Sequence, residues 1–227
     1  MDIEIIFENK DFFILNKPAG ILTHPTPKTS LEEKTISGFI SQKYPAVKKV
    51  GDNPAERPGI VHRLDKDTSG IILVVKNQSA FKYFKNLFQE RKITKTYLAV
   101  VFGLVKEDRG VIDKEIGFKS GTIKRSVFSS KSKKSAVTQF SVEKRFPEKN
   151  LTLLKVSPKT GRTHQIRVHL SSIGHPVLGD KIYSKKGKNF PHLYLHAFSL
   201  EFNGPDNSQY FFEADPPRYF NEFYLST

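Results

Sequence analysis

Short runs of apolar residues, separated by charged or proline-containing segments, recur along the chain. The runs at 3–7 and 12–16 flank the polar segment 8–11, and this pattern predicts a β-hairpin. Residues 70–75 carry no polar side chain and are mostly β-branched, which is typical of a buried strand. The same reasoning predicts four further strands, at 94–102, 136–146, 151–156 and 193–202.

Other segments have apolar residues at helical spacing, which predicts helices at 31–44, 79–90 and 163–173, with a short final helix at 217–225. Hydroxyl side chains commonly cap helix N-termini, so we expect Ser30 to cap the first helix and Thr163 the third, with Gly174 ending the third. Strands and helices mix without strict β-α-β alternation, which predicts an α+β fold with a largely antiparallel sheet. Because the chain has no internal repeat and no long linker, we expect a single domain over residues 1–227.

Basic residues outnumber acidic ones. The 227 residues include 37 lysines and arginines but 23 aspartates and glutamates, a net charge of +14 with a pI near 9.7. A polyanion is therefore the first partner to consider. Two stretches carry much of the excess: residues 119–134 hold six basic side chains and residues 181–188 hold four, with no acid in either. Such runs fit either a solvated surface or contacts to phosphates.

Composition and missing motifs exclude several classes of protein. The chain has no cysteine, which excludes disulfides, cysteine nucleophiles and thiolate metal sites. No apolar run approaches the roughly 20 residues of a membrane-spanning helix, and the N-terminus lacks the pattern of a signal peptide. We therefore expect a soluble, cytoplasmic protein that contacts no membrane. The phosphate-binding, dinucleotide-binding, serine-hydrolase and zinc-protease motifs are also absent.

The densest group of reactive side chains lies at 62–70, between a proline-rich loop and a predicted strand. Asp65 and Asp67 alternate around Lys66, so one carboxylate can face a cleft while the other caps a turn. The simpler alternative is a charged turn whose side chains hydrogen-bond to the local backbone. Residues 67–70 also spell the Asp-Thr-Ser-Gly of aspartic proteases, but that reaction needs two such aspartates and the chain has one such segment.

A second group, at 160–169, opens the predicted third helix with two arginines, two histidines and a glutamine. A buried arginine there would require a carboxylate partner, for which Asp65 is a candidate. The alternative is a surface helix whose polar face meets water. Tyr97, at the start of a predicted strand, is by itself explained most simply as half-buried packing.

Three long strings of residues carry a family resemblance: HRLDKDTSGIILVVKN, KTYLAVVFG and TGRTHQIRVHLSSIGHPVLGDKIY, in this order. Together with ILNKPAGILTHPT and LYLHAFSLEFNGP, they resemble the RluA-type pseudouridine synthases from about Ile5 to about Pro217. The resemblance implies an enzyme that isomerises uridine to pseudouridine within RNA, without cofactor or metal. It also implies a mixed, mainly antiparallel sheet with flanking helices and a central active-site cleft.

The resemblance further implies roles for individual residues. Asp65 matches the catalytic nucleophile, Tyr97 the tyrosine that stacks against the target ring and can act as a base, and Arg167 the basic residue that pairs with the aspartate. Arg63 matches the arginine that fills the space left by the extruded nucleotide. Four more residues are expected to support the site or contact RNA: His62, Arg162, His164 and Gln165.

The chain departs from many of these relatives at its N-terminus. They carry an S4-type RNA-binding domain, whereas the resemblance here begins within the first ten residues. We therefore expect a stand-alone catalytic domain, acting as a monomer, whose own basic segments grip structured RNA, either ribosomal or transfer RNA. A non-catalytic RNA-binding factor is the alternative that the net charge alone would also fit.

Overall fold

The computed structural model of the protein describes residues 3–27, 29–30, 33–118, 124–128 and 131–224. Contacts between residues divide the chain into two compact units. Unit 1 comprises Met1–Thr94 and Phe198–Asp215, and unit 2 comprises Lys95–Ala197 and Pro216–Thr227. Each unit has its own antiparallel strand pairs and its own buried residues.

The strands are, in chain order, β1 (Glu4–Glu8), β2 (Phe12–Lys17), β3 (Ser69–Val75), β4 (Thr94–Phe102), β5 (Arg109–Asp113), β6 (Ile116–Phe118), β7 (Arg125–Ser126), β8 (Lys131–Lys134), β9 (Val137–Phe146), β10 (Leu151–Pro158), β11 (Leu195–Asn203) and β12 (Gln209–Glu213). The α-helices are α1 (Ile36–Lys43), α2 (Gln78–Gln89), α3 (Gln165–Ser172) and α4 (Asn221–Tyr224). Short 3-10 helices cover Pro45–Lys49, Pro147–Lys149, Lys186–Asn189 and Arg218–Phe220. Each predicted element is present with shifted ends, whereas the short strands β5 to β8 and β12 are additional. None of the helices in the described ranges is both long and apolar enough to cross a membrane.

In unit 1, β1, β2 and β3 pair antiparallel in that order, with Phe12 of β2 opposite Val75 of β3. The predicted hairpin is thus confirmed. Asn9 stabilises its turn by accepting hydrogen bonds from the backbone N–H groups of Asp11 and Phe12, each at 2.9 Å. All seven residues of β3 are buried, as an uninterrupted apolar run predicts. This strand places the segment before it, at 62–68, at the edge of a rigid core.

In unit 2, β4 pairs with β10, β10 with β9, and β9 with β5, and each pairing is antiparallel. Helix α3 packs on this sheet, because Ile166 and Leu170 belong to the same buried cluster as Ala99, Leu154 and Val156. All strand pairs with an assigned register, in both units, are antiparallel. The predicted α+β fold with a mainly antiparallel sheet is therefore confirmed.

Helix α1 begins later than predicted. Its N-cap is Thr35, whose Oγ1 accepts a hydrogen bond from the backbone N–H of Gly38 at 3.0 Å, so the prediction of Ser30 as the cap is wrong. Thr35 forms a parallel bridge with Leu22, and the backbone N–H of Ile36 donates to the Leu22 carbonyl. This bridge holds the chain extended up to the cap. The first two residues of the predicted helix, 31 and 32, lie outside the described residues, as does the end of the last one, 225.

Helix α3 also begins later than predicted, at Gln165. The preceding residue, His164, has a φ of 56° and makes no side-chain cap, so Thr163 is not the N-cap. The Gln165 side chain instead holds the segment before the helix, because its Oε1 accepts a hydrogen bond from the backbone N–H of Arg162 at 3.0 Å. The predicted end is confirmed: the helix stops before Gly174, whose φ of 86° suits glycine.

Candidate active site

Asp65 lies on a turn that leads into β3 in unit 1. The backbone N–H of Thr68 donates to the Asp65 carbonyl at 3.2 Å, which closes the turn. Asp65 is half-buried, whereas Asp67 and Arg63 are exposed and Leu64 is buried. The two carboxylates that flank Lys66 thus differ in exposure, as their alternation suggested.

Thr23 fixes the residue immediately before Asp65. Its Oγ1 donates to the Leu64 carbonyl at 2.9 Å and accepts from the Leu64 backbone N–H at 3.2 Å. The Thr23 side chain is buried, so these bonds are shielded from water. One hydroxyl therefore satisfies both backbone groups of Leu64 and restrains the approach to the carboxylate.

Lys17, at the end of β2, fixes the other side of the turn. It is fully buried, and its Nζ donates to the carbonyls of Pro18, Ile21 and Lys66 at 2.9, 2.8 and 3.0 Å. An ammonium group has three N–H donors, so these three carbonyls use all of them. Burial lowers the pKa of Lys17 to about 7, and the charges of Asp67 and Asp65 oppose that shift. Lys17 is not among the residues that the sequence pattern predicts for the site; the available signal is a lysine that directly continues the apolar run of β2.

His62 attaches the turn to the strand and helix that follow it. Its Nε2 accepts a hydrogen bond from the backbone N–H of Leu73 at 2.8 Å, so this nitrogen is unprotonated in the structure. The ring stacks on Phe88 of α2 with centroids 4.6 Å apart and planes inclined by 22°. These contacts favour a supporting role for His62; its expected contact with RNA stays a prediction.

In unit 2, α3 carries Arg167, which is 4% exposed. Its Nε and Nη2 donate to the two carboxylate oxygens of Asp180 at 2.8 and 2.9 Å. Asp180 is fully buried, and its Oδ1 also accepts from the backbone N–H groups of Ile182 and Tyr183. Arg167 is therefore not on a water-facing surface of the helix, and the alternative of a solvated polar face is wrong for this residue.

The pKa of Asp180 reflects its surroundings. Burial raises it, but the hydrogen bond and the charge of Arg167, together with the two backbone N–H groups, bring the pKa below its ordinary value. The sequence offers Asp65 as a candidate carboxylate for Arg167 and does not single out Asp180. Pairing of Arg167 with Asp65 stays a prediction. The available signal for Asp180 is the Gly-Asp pair, and the structure explains the glycine: a Cβ on Gly179 would lie 1.6 Å from the His192 carbonyl oxygen, so the close approach of these two backbone segments requires glycine.

Tyr183 links His164 to Arg167. Its hydroxyl lies 2.8 Å from His164 Nδ1 and accepts a hydrogen bond from the backbone N–H of Arg125 at 3.0 Å. The Tyr183 hydroxyl thus accepts one hydrogen bond from the Arg125 backbone and shares a second with the His164 ring. The guanidinium carbon of Arg167 lies 5.4 Å from the centroid of the Tyr183 ring, within cation–π range. Half-buried His164 is thus part of a network that reaches Arg167.

Gln165 is 3% exposed, and its amide contacts protein groups on all sides. Its Oε1 accepts from Thr160 Oγ1 and from the backbone N–H of Arg162, and its Nε2 donates to the Val137 carbonyl and to Thr138 Oγ1. This arrangement favours support over RNA contact. Arg162 itself is half-buried, and its Nε donates to the Ser135 carbonyl at 3.1 Å.

Tyr97 lies on β4 opposite Val156 of β10 and is partly buried against the core cluster of unit 2. This agrees with half-buried packing, while its expected stacking on the target base stays a prediction. Lys95, two residues earlier, has a pKa lowered by burial. Lys95 and Tyr97 are thus both partly buried, whereas Thr94 at the start of β4 is exposed.

The two basic stretches differ in how much of them the structure describes. In the first stretch, residues 119–123 and 129–130 lie outside the described residues. In the second, Lys181, Lys185, Lys186 and Lys188 are all exposed. Their expected contacts with phosphates stay a prediction.

Comparison with known proteins gives one consistent family. The family model described as RNA pseudouridylate synthase matches residues 11–172. A protein of Aquifex aeolicus named "Uncharacterized RNA pseudouridine synthase" is 39% identical over 98% of this chain and 72% of its own length. The "Ribosomal large subunit pseudouridine synthase D" of Borreliella burgdorferi is 36% identical over 99% of this chain and 69% of its own length.

A solved structure agrees with these sequences. Human RNA Pseudouridylate Synthase Domain Containing 1 superposes with a TM-score of 0.77 at 26% identity, covering 95% of this chain and 84% of that one. The predicted reaction class is therefore confirmed. The chain belongs to the RNA pseudouridylate synthase family and is an enzyme that isomerises uridine in RNA to pseudouridine.

Proposed function

We propose that this enzyme everts a uridine from structured RNA and uses the Asp65 carboxylate as the nucleophile of the isomerisation. Tyr97 stacks on the target ring, Arg167 keeps the carboxylate ionised, and exposed Arg63 fills the position that the uridine leaves. Eversion from a stack is unfavourable by a few kcal/mol, and a guanidinium stacked in the vacated position offsets part of it.

The observation that supports this proposal most is the restraint on the Asp65 turn. Buried Thr23 and buried Lys17 hold the backbone on either side of the carboxylate through three hydrogen bonds, two to Leu64 and one to the Lys66 carbonyl. A nucleophile held in this way loses little entropy when it attacks. The turn also lies within residues 11–172, which match the family.

The reaction balances without a co-reactant. The bond from N1 of uracil to C1′ breaks, a bond from C5 to C1′ forms, the proton on C5 leaves, and N1 gains a proton. A carboxylate that bonds transiently to the nucleoside divides this exchange into two steps. The attack is at C1′ or at C6. The detached ring must be held, and a ring-stacking tyrosine that is itself packed against the core fits that need.

Ribosomal RNA is the first substrate class to test, because relatives from Borreliella burgdorferi and Zymomonas mobilis are named as large-subunit ribosomal enzymes. Transfer RNA is the second class. The expected monomeric state and cytoplasmic location stay predictions.

The test is Asp65→Asn, with Asp67→Asn as the matched control two residues away. We expect Asp65→Asn to abolish pseudouridine formation on transcribed large-subunit ribosomal RNA or bulk transfer RNA, while RNA binding stays within a few-fold. Asp67→Asn should retain turnover. Wild-type turnover by Asp65→Asn would overturn the assignment. Comparing pseudouridine maps of total RNA from cells with and without the gene identifies the RNA.

A further inference from the structure

A small three-stranded sheet in unit 2 carries aromatic and basic side chains at the surface. Strand β6 lies between β7 and β8, with Phe118 opposite Arg125 of β7. Ile116 of β6 belongs to a buried cluster with Ala136 and Val168, and Val127 and Tyr183 pack against that cluster. Because Val168 lies on α3, the cluster attaches the small sheet to the body of unit 2.

Two phenylalanine rings of this sheet are exposed. Phe118 is 46% exposed and Phe128, which follows β7, is 85% exposed. The backbone beside Phe128 is nevertheless held, because its N–H donates to Ser126 Oγ at 3.1 Å and the neighbouring Val127 is packed. Phe128 therefore presents an apolar ring to solvent from an anchored position. Because so little of the Phe128 ring is buried, the ring contributes almost nothing to the stability of the fold.

The charged side chains within residues 116–136 are all basic. The Arg125 guanidinium carbon lies 3.5 Å from the centroid of the Phe118 ring, and no ion pair among the described residues involves Arg125, Lys133 or Lys134. Both lysines are exposed. Residues 116–136 include six basic side chains and no acidic one. A polyanion thus complements this surface, whereas an apolar protein partner would leave the charges unpaired.

We propose that Phe118, Arg125 and Phe128 form a stacking platform for unpaired nucleotides of the RNA substrate, with Lys133 and Lys134 contacting the flanking phosphates. This inference rests on the proposed function and adds to it the kind of RNA that the enzyme binds away from Asp65. Aromatic rings stack on any base whose face is free, and neighbouring lysines attract the backbone. Bases inside an RNA duplex are already stacked, so the platform fits a loop, a bulge or a single-stranded flank.

The test measures binding by fluorescence anisotropy in the Asp65→Asn background, so that turnover does not enter. The probes are an oligouridylate of about 12 nucleotides and a blunt RNA duplex of similar length. We expect Phe128→Ala and Phe118→Ala each to weaken oligouridylate binding about tenfold and duplex binding no more than about twofold, while Phe128→Tyr stays within about twofold of the parent. The matched control is Phe211→Ala, which removes a ring that is 58% exposed on β12 of unit 1 and should leave both affinities unchanged.

The contribution of Lys133 and Lys134 is measured separately, from the salt dependence of RNA binding. Replacing Lys133 and Lys134 together by alanine should reduce the slope of log affinity against log salt by about 1.4 for the single strand. The platform is overturned if both phenylalanine variants bind oligouridylate like the parent, or if Phe211→Ala loses as much. A thermal melt of each variant, and retention of binding by Phe128→Tyr, separates loss of the ring from loss of the fold. Wild-type turnover by Asp65→Asn would instead overturn the catalytic proposal.

Discussion

Arg167 and Asp180, thirteen residues apart, form a bidentate ion pair in which both side chains are almost completely buried. The carboxylate also accepts two backbone hydrogen bonds from the turn that follows it. The pair therefore sets the orientation of the guanidinium before any RNA binds. In our proposal this guanidinium acts on Asp65, which makes Asp180 a positioning residue.

Asp180→Asn should destabilise the protein strongly, because it leaves the buried Arg167 guanidinium without its carboxylate. We expect the free energy of unfolding to fall by about 3–5 kcal/mol. Urea unfolding followed by circular dichroism measures this. The control is Asp108→Asn: Asp108 pairs with Arg145 but is 81% exposed, so its loss should change the free energy by less than about 1 kcal/mol. Equal effects of the two changes would contradict the importance of burial.

The ion pair between Arg167 and Asp180 also predicts how the stability of the protein changes at acidic pH. The folded-state pKa of Asp180 lies below its unfolded value, so the stabilisation is fully present above about pH 4 and is lost as the pH falls through the folded value. The stability difference between the parent and Asp180→Asn should therefore shrink below about pH 4. A difference that stays constant down to pH 2 would show that Asp180 does not titrate in this way.

Lys17 predicts a dependence of the same sign, but at neutral to basic pH. Burial lowers its folded-state pKa to about 7, below the unfolded value of 10.5, so the unfolded chain binds more protons between these two values. Stability contributed through this group therefore rises with pH across that window, by about 1 kcal/mol per pH unit. Urea unfolding at several pH values from 7 to 10 should give a more positive slope for the parent than for Lys17→Met.

A surface lysine provides the comparison. Lys10 lies exposed in the turn between β1 and β2, so Lys10→Met should leave the slope of stability against pH unchanged. If the free energy of unfolding has the same slope against pH in Lys17→Met and in the parent, burial does not lower the pKa of Lys17 as predicted.

Thr23→Val tests whether the Asp65 turn must be held. The change conserves volume but removes both hydrogen bonds to Leu64, leaving a buried carbonyl and N–H unsatisfied. We expect kcat to fall about tenfold with KM within about twofold, because the nucleophile loses its position while the RNA-binding surface is intact.

The matched control is Thr26→Val, three residues later on the same loop. Thr26 is exposed and, within the described residues, its hydroxyl hydrogen-bonds to Thr29 Oγ1, so turnover should stay near wild type. A change in KM alone for Thr23→Val would indicate a role in binding instead of positioning.

Local pattern was sufficient for much of the fold. The apolar run at 70–75 predicted a buried strand, and the phenylalanines at 79–90 predicted a helix; both are present because burial of a strand or of one helix face depends on residue spacing alone. The chemistry-bearing residues could also be named from the sequence, since Asp65, Tyr97 and Arg167 lie in long specific strings. Helix starts were less predictable: Thr35 caps α1 because Leu22 bridges to it from another segment.

The sequence by itself thus determined the element types, the family and the identity of the candidate reactive groups. Tertiary structure alone decided which partners hold those groups. Lys17 is buried because two carbonyls of the loop that follows it and the Lys66 carbonyl converge on its ammonium, and Asp180 is charged in the core because a helix brings Arg167 to it. The physical reason is that burying a charge is unfavourable unless polar partners satisfy it. The approach of Lys66, 49 residues from Lys17, and of Asp180, 13 residues from Arg167, leaves no periodic signal in the sequence.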